Sequence, residues 1–301
     1  MRTVYLLSLS LFTILSTGAQ PGSVQNKTHG KHRASSRTYL LKFYYHPKQT
    51  NLYRLDTRIS AILPEKNHQP KILLYSMSED LVEKMQVVKS GRDGSGEIEV
   101  GIQSGEGKLN GKTFSITPPK DPVLFTLASD GTLISASKMG EDNSKMPMLA
   151  GLLQSGSLSL YGVVLPKKPV SIGSRWTRHV DLPGDTFRKQ GELTARFMGL
   201  ERVGPYRTAV IHALLTVPVH IFLDSKSQIT RRRDKAASLL SGILKISYGV
   251  NLGLSNGKMI RVASSGSIHG TITQLNSAAG KKPTQPIPLL IQLSMGSELI
   301  G

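Results

Sequence analysis

From Thr38 onward the chain is broken into short runs of β-branched, aromatic and aliphatic residues separated by Gly, Pro, Asn and Asp. That spacing is the one an all-β sandwich, barrel or curved sheet produces. Residues 39–45 and 53–63 are the first two strands it predicts. Strict alternation follows in Glu97-Ile98-Glu99-Val100-Gly101-Ile102 and again in Glu192-Leu193-Thr194-Ala195-Arg196-Phe197, the period of a half-buried strand. The best-specified element lies late, where Leu244, Ile246, Tyr248, Val250, Leu252 and Leu254 alternate with Lys245, Ser247, Gly249, Asn251 and Gly253. Its return arm keeps Ile260, Val262, Ile268 and Ile272 on even positions, and Asn256-Gly257 marks the turn. A two-residue loop would set Leu252 against Arg261. A three-residue loop, Ser255-Asn256-Gly257, sets Leu252 against Ile260 and Val250 against Val262. The second register is expected, because a slip of one residue turns an entire arm inside out. Tyr248, Val250, Leu252, Ile260 and Val262 then line core or a ligand cavity, with Lys245, Asn251 and Arg261 on the other side.

The run from Ser144 to Leu153 has helical character, with Pro147 in its first turn. It divides the chain into a first antiparallel β module (38–142), a linking helix (143–156) and a second antiparallel β module (157–301). The expected class is therefore mostly β: antiparallel curved sheets, half-barrel or sandwich-like, in two similar modules. A polar connection carries Arg231, Arg232, Arg233 and Lys235, and a flexible loop at 276–286 precedes a last strand at 287–293.

The N-terminus adds an address. Met1-Arg2-Thr3, an apolar or hydroxyl run from Val4 to Leu15 and the small-residue exit Ser16-Thr17-Gly18-Ala19 have the order of a secretory signal cleaved before Gln20. The run is too short for a spanning helix. Residues 20–37 are polar, basic and aperiodic, as in a disordered leader. Export to a periplasmic, cell-envelope or extracellular location is expected. The chain has no cysteine, which excludes a lipoprotein anchor, a disulfide and a thiolate metal site, and for an exported chain points to a bacterial source. The formal charge is +18, and losing Arg2 with the signal lowers it by one to +17. A field of that size concerns partners and solubility, and outside a cell the polyanions are phospholipid head groups and envelope polymers.

Leu-Lys-Phe-Tyr-Tyr and Leu-Tyr-Arg-Leu within Leu40–Arg58, the stretch Leu165–Trp176 with its Gly-x-x-Trp, and the Asn-Gly turn of Leu252–Ile260 resemble landmarks of uncharacterised exported bacterial β-proteins. That resemblance implies a β-hairpin opening, a second half starting near Trp176 and an architecture like half-barrel lipoprotein carriers. It implies no site residue. The glycine usual in the first turn is absent from Pro47-Lys48-Gln49-Thr50.

Chemistry is sparse. Gly253-Leu254-Ser255-Asn256-Gly257 fits Gly-x-Ser-x-Gly, but a hydrolase needs that serine on a strand-to-helix turn, and alternation continues on both sides. The run from Gly105 to Thr113 misses the phosphate-loop spacing and has no following helix, so a β-turn is expected. Ser135-Ala136-Ser137-Lys138 lacks its partner motifs. The eight histidines include no pair at i, i+2 or i, i+4 with a third ligand close by, so no metal or other cofactor is expected. His212 sits in 208–217, a strand apolar on both faces, as a core histidine or a polar group facing a cavity. Arg231, Arg232, Arg233 and Lys235 could grip an anion, but without interleaved aromatics they do not read as a nucleic-acid site. Trp176 is expected to anchor core. The leading expectation is an exported, non-enzymatic protein holding a lipid or other amphiphile on an apolar sheet face. An envelope protein bound to anionic polymers is the alternative, and a serine hydrolase using Ser255 the last.

Overall fold

The computed structural model describes residues 37–64, 71–118, 122–136, 163–180, 191–223, 237–275 and 285–301. All secondary structure among them is β: β1 (Thr38–Tyr39), β2 (Thr50–Leu63), β3 (Ile72–Ser90), β4 (Gly96–Leu109), β5 (Lys112–Ser115), β6 (Val123–Leu127), β7 (Leu133–Ala136), β8 (Val170–Ser171), β9 (Arg175–Val180), β10 (Gly191–Val203), β11 (Tyr206–Leu223), β12 (Ser238–Gly253), β13 (Met259–Gln274) and β14 (Ile287–Leu299). The mostly antiparallel β class is thus observed. The expected helix at 143–156, the expected signal at 1–19, the expected leader at 20–37 except Arg37, and Arg231–Lys235 lie outside the described residues.

Twelve strands form one sheet in the order β7-β6-β4-β3-β2-β14-β13-β12-β11-β10-β9, with β5 added to β4, while β1 pairs with β8. Every neighbouring pair is antiparallel, and all but β14–β2 and β4–β6 are consecutive in the chain. The β14–β2 ladder, from Leu290 opposite Ile62 to Leu299 opposite Tyr53, joins the two sequence halves in a single sheet. Alternate residues face one lumen. Phe197, Ile211, Leu215, Ile246 and Val250 from one flank pack in the same cluster as Ile59, Met77, Ile98 and Phe125 from the other, so the sheet curls until both flanks share a core. Its two ends are bridged by residues 163–165. Trp176 Nε1 on β9 donates to Val164 O at 2.8 Å, and Leu165 N donates to Asp130 O beside β6 and β7 at 2.7 Å. Trp176 is half-buried and anchors this seam, as its setting predicts.

The predicted strand at 39–45 is a correction: only Thr38 and Tyr39 pair as strand. Leu41 and Phe43 turn into the lumen, at 1 % and 8 % exposure, and Phe43 N donates to Ser129 O at 2.8 Å instead of entering a ladder. The gain from burying these side chains in an otherwise open end outweighs pairing at a sheet edge. The segment then turns at Pro47-Lys48, where Lys48 holds φ +66°. That is the position a type II turn gives to glycine, so the missing glycine is replaced by a strained lysine. The last strand is also longer than predicted, running to Leu299.

The late hairpin forms with one change of register. Val250 faces Val262 and Asn251 faces Arg261 as expected, but Leu252 faces Met259, with a bulge between Asn251 and Leu252. The loop is correspondingly longer, Gly253 N donating to Lys258 O at 2.8 Å and Gly257 N to Gly253 O at 2.9 Å. Gly257 has φ +58°, and a Cβ there would run into the backbone of Lys42 and Tyr44. The bulge lets this turn pack beneath the crossing segment without inverting either arm. The Asn110-Gly111 turn, with φ +48° and +83°, closes the β4–β5 hairpin, as expected for 105–113.

Candidate functional site

Four of the five hairpin residues proposed as ligand-binding are brought together. All five are 1–3 % exposed; Tyr248, Val250, Leu252 and Val262 pack in the lumen core, while Ile260, the residue skipped at the bulge, is buried outside that cluster. His212 is not with them and needs correction. It is exposed on the outer face of β11, opposite Arg196 on one side and Gly249 on the other. Its strand reads as apolar on both faces because Leu214, also outward, is left 47 % exposed. Asn251 is buried rather than solvated: its Nδ2 donates to Glu201 Oε2 and Thr208 Oγ1, each at 3.2 Å. Ser255 is exposed in a turn between antiparallel strands, the wrong setting for a nucleophile elbow.

The outer face carries a pattern that only the strand pairing reveals. One ladder row runs Arg175, Arg196, His212, Gly249, Ala263, Gly296, Asp56, Asp80, Glu106, each directly opposite the next, across nine strands. Cations occupy one end, carboxylates the other, and small residues the middle. A second arginine pair, Arg202 opposite Arg207, lies one ladder position from the β10–β11 turn, exposed at the rim on the strand parity of Leu200 and Ala209 rather than in this outer row. Among the described residues the ion pairs are Arg58–Asp56 at 3.4 Å and Arg261–Glu298 at 3.6 Å, so neither arginine pair is compensated by a carboxylate. His212 and Asp56 are four strands apart, about 19 Å along the sheet at ~4.8 Å per strand, well beyond the ~8 Å screening length at physiological salt. The acidic end therefore does not neutralise the basic one. It borders a groove of about 160 Å³ that includes Asp56, Arg58, Asp80, Glu106 and Lys108.

Inside, near the tight-turn end, a cavity of about 30 Å³ is lined by Tyr44, Tyr45, Gln49, Asn51, Tyr53, Met85, Lys258 and their apolar neighbours. Asn51 and Tyr53 are 1 % and 2 % exposed, and Asn51 Oδ1 and Tyr53 Oη have no hydrogen-bond partner. Tyr53 pairs directly with Glu83 on β3. Glu83 is 3 % exposed, and burial pushes its carboxyl up to about 7. The Tyr53 phenol is raised by burial first and by the Glu83 charge second. Sequence reading missed this cluster. Its only signal was polar residues, Asn51 and Glu83, on the inward parity of two strands whose other inward positions are largely apolar.

No family model matches the chain, and no curated protein does. Solved structures similar to it include DynF from the dynemicin biosynthesis pathway of Micromonospora chersina, at 9 % identity over 92 % of each chain with a TM-score of 0.24. Another is the OmpF complex with daunomycin from Salmonella typhi, at 7 % identity over 86 % of this chain and 100 % of that one, with a TM-score of 0.23. Likeness at that level carries no functional meaning.

Proposed function

We propose that the protein is an exported, non-enzymatic binding protein whose basic outer flank, β9 to β11, engages an acidic lipid surface. The observation that carries this reading is Arg175 directly against Arg196 on the outer face, with a further facing pair, Arg202 against Arg207, exposed at the adjoining β10–β11 rim. Like charges directly opposite one another weaken a sheet, and a bound phosphate or other anion would offset that cost with charge-assisted, fork-shaped hydrogen bonds. Two exposed apolar side chains on the same flank, Met198 at 40 % and Leu214 at 47 %, suit a surface with apolar matter behind its head groups. An amphiphile laid on the inner face finds less support. Tyr248, Val250, Leu252 and Val262 there are packed in the core cluster, and the 30 Å³ cavity holds about two non-hydrogen atoms.

Co-sedimentation with phosphatidylglycerol-containing vesicles and with phosphatidylcholine vesicles tests the reading. Retention is expected on the acidic vesicles, falling steeply as salt rises, and weakened about tenfold in the Arg175→Ser/Arg196→Ser variant. Equal retention on both vesicle types, or undiminished binding by the variant, would overturn it.

A further inference from the structure

The lumen cavity between β2, β3 and the crossing segment has donors and acceptors out of balance. Asn51 Oδ1 and Tyr53 Oη, both without partners, belong to side chains that line it, and Glu83 stands beside Tyr53 on the next strand. A buried carboxyl, a carbonyl oxygen and a phenol oxygen offer lone pairs. No cation is paired with Glu83 among the described residues, in a chain otherwise rich in cations. Buried polar atoms are nearly always satisfied, and the space of about 30 Å³ exceeds what one water needs. The walls are mostly apolar (Phe43, Met85, Val87, Ile98, Val100, Leu127), which suits a ligand with a small apolar part and one hydrogen-bond-donating cationic head.

We propose that this cavity binds a small ammonium ion, of methylammonium size, with Asn51 Oδ1 and Tyr53 Oη accepting its hydrogen bonds and the Glu83 carboxylate supplying the countercharge. The size selects against larger quaternary ions, since a second and third methyl group exceed the space. Beside Glu83, the titratable groups around the site among the described residues are Tyr53 on β2, Tyr44 and Tyr45 on the crossing segment, Tyr206 at the start of β11, and Lys258 on the β12–β13 turn. The tyrosine phenols that feel burial are held above their ordinary value, so Glu83 is the group that titrates near neutrality. Binding therefore strengthens above pH 7 and is lost in mild acid, where Glu83 is protonated and becomes a donor. Lys258, which also lines the cavity, is the internal competitor.

Thermal melts of the intact protein at matched ionic strength, in methylammonium, ammonium, tetramethylammonium or sodium chloride, test the proposal. Well above pH 7, methylammonium and ammonium are expected to raise the melting temperature saturably, while tetramethylammonium and sodium do not. The rise should vanish at pH 5, and Glu83→Gln should weaken apparent affinity at least tenfold. Tyr53→Phe, which keeps the ring and removes only the hydroxyl, should weaken it severalfold. Saturation-transfer signals from the methylammonium methyl group supply a readout independent of stability and should be lost in the same variants. Identical melts in all four salts, which would mean that water alone fills the cavity, overturn the proposal. So does a response in Glu83→Gln equal to that of the parent.

Discussion

On β2 and β3 the lumen face carries Asn51, Tyr53, Thr57, Glu79 and Glu83 among its apolar residues, whereas on β10 and β11 the same face runs Leu193, Ala195, Phe197, then Ala209, Ile211, Ala213, Leu215, Val217, Val219 and Ile221. Outside, the two flanks reverse. Setting aside the lumen-facing Glu79 and Glu83, strands β2 to β7 carry six Lys or Arg against five Asp or Glu, while β9 to β13 carry seven against two, together with His179, His212, His220 and His269. All four of those histidines are exposed. One flank buries polarity and balances its surface; the other buries an apolar face and leaves its surface unbalanced. The comparison teaches where each flank has surrendered stability. A buried carboxyl costs free energy in the first and facing arginines cost it in the second, and those are the places where a ligand has something to repay.

The comparison is sharpened most by truncating the apolar flank. Phe197→Ala, which empties a position with 0 % exposure, should lower stability by about 3–5 kcal/mol in urea titrations. A loss under about 1 kcal/mol would show that this flank is not packed core. On the polar flank the leading effect is on pH. Glu83 has its folded value raised from 4.5 to about 7, so the native state binds more protons than the unfolded chain between those values. Stability should be full below about pH 4.5 and fall as pH rises through 7, by roughly 3 kcal/mol in total. Glu79, also raised by burial, acts in the same direction. Urea midpoints across this range should show the decline, and Glu83→Gln should flatten most of it; a midpoint rising with pH would contradict the assignment.

Turns separate the flanks too. Among the described residues the non-glycine positions with positive φ, Lys48 and Asn110, both belong to the first flank, while the β10–β11 and β12–β13 turns use Gly204 and Gly257. Lys48→Gly should therefore stabilise by about 1 kcal/mol, the order of the left-handed penalty for a residue with a Cβ, measurable as a higher urea midpoint. Gly257→Ala should do the reverse. The smallest effect belongs to the arginine row, where Arg196→Thr should stabilise by about 0.5 kcal/mol at low salt. The gain should disappear in high salt as the repulsion is screened, and its persistence there would locate the cause in packing instead.

Much of this fold is local and so could be read from the chain. Alternation over Leu244–Leu252 sorts inward from outward side chains because a strand has period 2 wherever it pairs, and Asn256-Gly257 places the turn to within the one-residue bulge that shifts Leu252 onto Met259. The candidate sites were far less legible. Arg175, Arg196 and His212 share a row with Asp56, Asp80 and Glu106 only because β14 pairs with β2, setting Gly296 opposite Asp56 at a separation of 240 positions in the chain. Nothing in a local pattern encodes such a partner.

The crossing segment shows the same division. Its Leu-Lys-Phe-Tyr-Tyr alternation fits a strand, yet Leu41 and Phe43 fill the lumen because the sheet has curled around a space those side chains can close. Likewise Glu83 reads as one charge in a polar stretch, and becomes buried only once β2 and β3 pair with their inward parity toward a shared core. Periodicity along the chain settles which residues share a face. Which faces meet, which charges are left without partners and which polar atoms lose their water are set by long-range pairing, because burial and screening depend on neighbours in space and not on neighbours in sequence.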